Sequence, residues 1–179
     1  MSDFLRISPQ TVVLPVIHGS GDFAVEVRRV MLSHRFDCLA VPLPRSFQTD
    51  VERAIQHLPN ITLVVQEELP NYRVTDWSPE SETRDDDSDQ RTYSYVPIDP
   101  CQPVIAALRI AQQERMARAF IDLEVDRYEP IGAVLPDAYA VKQIAADRFA
   151  AAVLPTIPRL PTEQSQQRVL VMARRIHEL

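Results

Sequence analysis

The sequence predicts an α/β fold: a mostly parallel sheet of about five strands with helices on both faces. The predicted order is β-α-β-α-β, an acidic excursion, then β-α-β-α-α. Three observations carry this. Short runs of aliphatic residues alternate with segments whose apolar residues recur every three to four positions. The connections between most of them are short, which favours parallel strands, right-handed crossovers and covering helices. The length of 179 residues suits one domain spanning residues 1–179.

Residues 11–17 form an apolar run that reads as a buried first strand. Pro15 cannot donate to a ladder, so this strand ends near Leu14 or bulges there. Phe23, Val27, Val30 and Met31 then mark one face of a helix over residues 22–34, with Asp22 as its N-cap. Residues 37–41 read as a second strand, closed by Pro42 and Pro44. Ser46 is placed to cap a second helix whose buried stripe is Phe47, Val51, Ile55 and Leu58. Residues 61–65 make the third strand.

An acidic, flexible insertion is expected at about residues 70–91, where no periodicity is visible. Order resumes with an alternating strand at 92–98. Pro103 suits the first turn of a third helix with Val104, Leu108 and Ala111 inward. Residues 118–122 form another strand. A fourth helix is expected over 137–153, with Val141, Ile144, Ala145 and Phe149 facing the core. Thr162 caps the last helix, whose stripe is Val169, Met172, Ala173 and Ile176.

Composition narrows the function. Hydrophobic residues make up 45% and charged residues 25% of the chain, which is globular usage. Nineteen basic against 25 acidic residues give a net charge of -6. That balance counts against a dedicated nucleic-acid binder, which presents a basic patch or stripe. Residues 66–91 hold nine acids and three arginines, a local surplus equal to the whole net charge. No apolar run approaches the roughly 20 residues of a membrane helix, and the first residues lack a signal-peptide layout. A cytoplasmic protein without a membrane or nucleic-acid partner is the expectation. Cys38 begins a strand and Cys101 follows one, so no bridge is expected between them, and no zinc spacing exists.

Only three glycines occur, and two of them, Gly19 and Gly21, share one short segment. Their use there is predicted to be geometric. The loop Gly19-Ser20-Gly21 with Asp22-Phe23-Ala24 also fits the Gly-x-Gly-x-x-Ala pattern of nucleotide binding at a helix start. The acid expected after the second strand is missing, because Val41-Pro42-Leu43 stands there, and Asp22 puts negative charge where phosphate would lie. A tight structural turn is the competing reading.

His18 ends the first predicted strand, where open α/β sheets place their ligands. An imidazole there suits a divalent metal or general-base chemistry, against the plainer role of a hydrogen-bonded residue. His34 and His57 sit at helix ends and read as structural. Glu67, Glu68, Asp99, Asp122 and Glu124 all follow predicted strands and would line one edge of a parallel sheet. The two early glutamates read as part of the acidic run. The catalytic candidates are therefore His18, Asp99 and Asp122, with Gly19, Ser20 and Gly21 as ligand-binding candidates and His18 as the metal candidate.

The strand ending His18-Gly19, the segment Tyr95-Val96-Pro97-Ile98-Asp99-Pro100, and Ala107-Leu108-Arg109 leading to Phe120-Ile121-Asp122-Leu123 resemble the TraB/TIKI, erythromycin-esterase and ChaN-like superfamily. The likeness is to bacterial members of unassigned function, and the last helix, with Gln167-Arg168 and Met172-Ala173-Arg174-Arg175-Ile176, is similar too. The resemblance implies a parallel α/β fold and, in active members, metal-assisted or His/Glu-based hydrolysis, with His18 as the first-loop histidine. Active members carry an acid after strand two, where this chain has Pro42, Leu43 and Pro44. They also have a later strand with its own Gly-and-His ending beyond the last helix. The expectation is a non-catalytic or degenerate hydrolase-like domain acting as a binding or assembly module, ahead of a His/carboxylate hydrolase. The apolar stripe of the last helix, with no strand after it, adds the expectation of a protein partner, self-association or a longer product.

Overall fold

A computed structural model describes residues 6–67, 93–125, 128–129, 135–157 and 162–179. The predicted acidic insertion at 70–91 lies outside the described residues. Helix α1 (Gly21–Ser33) buries Phe23, Ala24, Val27, Val30 and Met31, as the 3.6-residue period requires. Its N-cap is Ser20 rather than Asp22, because the Ser20 hydroxyl accepts from the Phe23 N–H. Asp22 stands in the first turn and pairs with Lys142 at 2.9 Å.

Strand β1 (Cys38–Pro44) runs on through the prolines predicted to close it. Arg45–Phe47 is a 3-10 turn leading into α2 (Gln48–Ala54), and another 3-10 turn covers Ile55–His57. The predicted stripe of Phe47, Val51, Ile55 and Leu58 is buried throughout. Strand β2 (Thr62–Glu67) and strand β3 (Tyr93–Ile98) follow. Helix α3 (Pro103–Gln113) opens with its proline in the first turn and buries six residues, enough to pack on two sides. Ile105 and Leu108 join the cluster around α2, while Ala107, Ile110 and Ala111 meet Val27 and Met31 of α1.

A chain with three glycines must end α3 without one. Arg115 takes the left-handed conformation (φ 55°) that glycine usually supplies, and the Met116 N–H returns to the Ala111 carbonyl at 2.8 Å. That return delivers the chain directly into β4 (Ala117–Asp122).

The five-strand, mostly parallel sheet is corrected. Among the described residues there are two two-stranded sheets: β1 with β4, parallel, and β2 with β3, antiparallel. Two physical reasons account for the difference. The apolar run 11–17 joins no sheet; only Val12 bridges, to Arg6. Pro15 lacks the ladder donor, and Leu14, Val16 and Ile17 pack on the helices instead. In addition, no helical period lies between β2 and β3, and a parallel return normally needs a crossover of that kind. The strands therefore pair side by side in opposite directions, Val65 across from Tyr95 and Thr62 across from Ile98. One core serves both pairs: Val41 and Phe120 from the first meet Val64, Val96 and Ile98 from the second.

The predicted helix 137–153 is broken in two. Ala138–Lys142 is a 3-10 turn capped by Asp137, and α4 (Ala146–Val153) starts after Ala145, which is extended at ψ 145°. Phe149 is buried edge-on against Phe23 at 5.4 Å, but Ile144 and Ala145 at the break face solvent. Helix α5 (Glu163–His177) begins with the expected Thr162 cap, strengthened by a reciprocal bond to Ser165. Its predicted stripe is only partly covered, since Val169 and Ala173 are exposed and Met172 and Ile176 half-buried. No described helix is long and apolar enough to cross a membrane.

Candidate functional site

The loop between the apolar run 11–17 and α1 is built as a turn. The Ser20 N–H donates to the Ile17 carbonyl at 3.4 Å, and Gly19 adopts φ 74°, the left-handed region that a side chain would strain. Gly21 has no such need. A Cβ there would simply touch Cys101 Sγ at 3.7 Å. The geometric reading of the glycines thus holds at Gly19.

This loop meets the turn that leads into α3. The Gly19 N–H donates to Gln102 Oε1 at 2.9 Å. Across the same junction, Asp99 Oδ1 accepts from the Cys101 N–H at 2.7 Å, and the Asp99 carbonyl accepts from the Gln102 N–H at 3.0 Å. His18 and Asp99 therefore sit on two loops tied to each other, with His18 exposed. Asp99 uses one carboxylate oxygen to shape its own turn. A pyrophosphate at Gly19-Ser20-Gly21 would compete with Gln102 for the Gly19 amide and lie close to Asp22.

Asp122 belongs to a different place. It ends β4, across from Pro44 of β1, and its side chain is only 4% exposed. The Arg168 guanidinium of α5 grips it with both arms, Nε to Oδ1 at 3.0 Å and Nη2 to Oδ2 at 2.5 Å. The Leu123 N–H adds a bond to Oδ1 at 2.8 Å, and Arg175 donates to the Asp122 carbonyl. The ring of Tyr128 lies 4.9 Å from the Arg168 guanidinium carbon. Each carboxylate oxygen is thus engaged in holding α5 on the strand pair. Among the described residues, no three His, Cys, Asp or Glu side chains converge as a metal group requires. The single edge on which sequence reasoning placed Asp99 and Asp122 does not form, because β3 runs back against β2 and belongs to the other sheet.

Glu124 holds neighbouring segments together. Its carboxylate accepts from the Ser46 N–H at 2.9 Å and from the Ser46 hydroxyl at 2.8 Å, while Gln66 donates to the Ser46 carbonyl at 3.0 Å. Ser46 is accordingly tied to Glu124 and is not the helix cap the sequence suggested. Cys38 and Cys101 are free thiols, and burial pushes the Cys38 thiol up.

Two features escaped sequence reasoning. One is an open polar cleft of about 700 Å³ beside α2, floored by Glu52 and Arg118. Arg118 Nε and Nη2 donate to the two Glu52 oxygens at 2.9 and 3.1 Å, and Gln48 adds a third bond. These hydrogen bonds, from Arg118 above all, hold the Glu52 carboxyl below the ordinary carboxylate range. A lowered folded pKa means that the unfolded chain binds the proton first. The stabilisation is full above the ordinary value of about 4.3 and is lost as pH falls through the lower folded value. Glu52→Gln should cost about 1 kcal/mol at neutral pH, and the gap to wild type should close in acid. Urea titrations at pH 7 and in acid check this.

The second feature is the outer face of the antiparallel ribbon. Ile61, Leu63, Val65, Tyr93 and Tyr95 all point to solvent, with exposures from 50% to 69%. The alternate residues Val64, Val96 and Ile98 fill the core. The signal was present, because residues 61–65 are apolar at both parities apart from Thr62, but the expected sheet had helices on both faces and left no strand face open.

No protein-family model matches this chain, and neither a curated protein nor a solved structure is detectably similar to it.

Proposed function

We propose that this chain is a non-catalytic binding and assembly module of the hydrolase-like superfamily it resembles. The observation that carries the reading is the uncovered apolar face on β2 and β3. Single exposed hydrophobic residues are ordinary, but five adjoining ones, three aliphatic and two tyrosines, mark an interaction surface. The engagement of Asp122 by Arg168, and of Asp99 by its own turn, supports the same reading, since a general base needs a carboxylate oxygen facing substrate.

The test is turnover. Purified full-length protein is offered ester, phosphoester and amide substrates with zinc, manganese or magnesium, beside His18→Ala. The proposal expects no turnover above blank and no difference between the two proteins. Hydrolysis that His18→Ala abolishes would overturn it. It would favour the second reading, a hydrolase around His18, whose support is the tie between the His18 loop and the Asp99 turn.

A further inference from the structure

We propose that the outer face of the β2–β3 ribbon is the surface on which a second copy of this chain packs, ribbon against ribbon. This rests on the binding-module reading and names its partner.

The ribbon places Leu63 beside Pro97 and Val65 beside Tyr95, with Tyr93 beside Glu67 at one end of the face and Ile61 just before the other. Apart from Glu67 at the rim these residues are uncharged, so the centre of the face offers nothing that selects a charged partner. The two tyrosine hydroxyls donate and accept equally well, which suits an isologous contact in which each copy offers the same groups. Area supports the choice. Side chains of this size at these exposures offer on the order of 600 Å² per copy, so two faces bury about 1,200 Å², the lower end of stable interfaces. Two such faces stack as a pair of sheets about 10 Å apart.

Charge shapes the strength of the contact. Each copy carries a net charge of -6, so two copies brought together repel one another. Added salt screens that repulsion, so the dimer tightens as ionic strength rises. A basic partner on the same face would respond in the opposite direction.

The experiment is light scattering of the full chain over a wide range of protein and salt concentrations. The expected result is a mass rising with concentration toward twice 20.4 kDa, with tighter association at higher salt. Tyr95→Glu, at the centre of the face, should weaken association about tenfold or more. Leu170→Gln, on the exposed side of α5, should leave it unchanged. Circular dichroism checks that Tyr95→Glu is folded, and Leu63→Gln repeats the measurement with a milder change. A monomer at every concentration overturns the proposal. So does a dimer that neither ribbon variant weakens, or one that salt dissociates. These outcomes leave the turnover test untouched, whereas His18-dependent hydrolysis removes the binding-module reading whatever the mass.

Discussion

Arg168→Met should destabilise the protein by about 3–5 kcal/mol, the usual cost of leaving one partner of a buried ion pair uncompensated. The pair qualifies because Asp122 is almost wholly buried and Arg168 is 15% exposed, with two hydrogen bonds between them. For a chain of this length that loss lowers the melting temperature by about 10 °C. Removing the carboxylate charge as well, in Asp122→Asn with Arg168→Met, should recover part of it, because the orphaned charge is gone. Arg174→Met makes the control, since the Arg174–Glu178 pair is exposed and should matter by less than about 0.5 kcal/mol. Chemical denaturation of the four proteins measures this. A loss below about 1 kcal/mol for Arg168→Met would mean that α5 is held by its half-buried apolar residues and not by Asp122.

Phe120→Ala should be comparably damaging, about 3–5 kcal/mol, through lost contacts and the cavity left behind. Phe120 is 1% exposed at the point where both strand pairs share one core with Leu108 of α3. Its loss should weaken the two pairs together and leave a single unfolding transition at lower denaturant. Tyr95→Ala, a change of similar size on the outer face of the ribbon, should cost far less in the monomer. Two separated transitions in Phe120→Ala would show that the strand pairs have independent cores.

What was legible in the sequence was local. The faces of α1 and α2, the proline opening α3 and the Thr162 cap of α5 follow from period and capping, which a short window contains. Sheet order and direction are not local. Residues 11–17 have a strand's composition, yet Pro15 and the pull of three apolar clusters keep them out of both sheets. The break before α4 was hidden because Ala145 suits a helix as well as any residue. The docking of helix α5 was hidden for another reason. Its apolar stripe was read as surface for a partner or another copy, and the two arginines that carry its contact to β4 look solvated in a sequence.

The candidate site divides in the same way. The His18 loop and the Asp99 turn are neighbours through Gln102, but not along the shared parallel edge that strand-end logic assumed, since residues 11–17 join no sheet. That logic did not place Asp122, because which carboxylate meets a cation forty-six residues later is decided by packing. The exposed ribbon was missed for want of the pairing direction: alternation shows that two faces differ, not which one the rest of the chain will cover.

Hydroxyl-radical footprinting of the full chain, at low and high protein concentration in the same salt, tests the account most directly. It reads side chains one by one, without a substitution. The account predicts that oxidation of Tyr93, Tyr95 and Leu63 falls as concentration rises, while Tyr139 and Leu170, exposed elsewhere, react equally at both. Equal oxidation of Tyr95 at all concentrations, or protection confined to Leu170 and Val169 on α5, would contradict it.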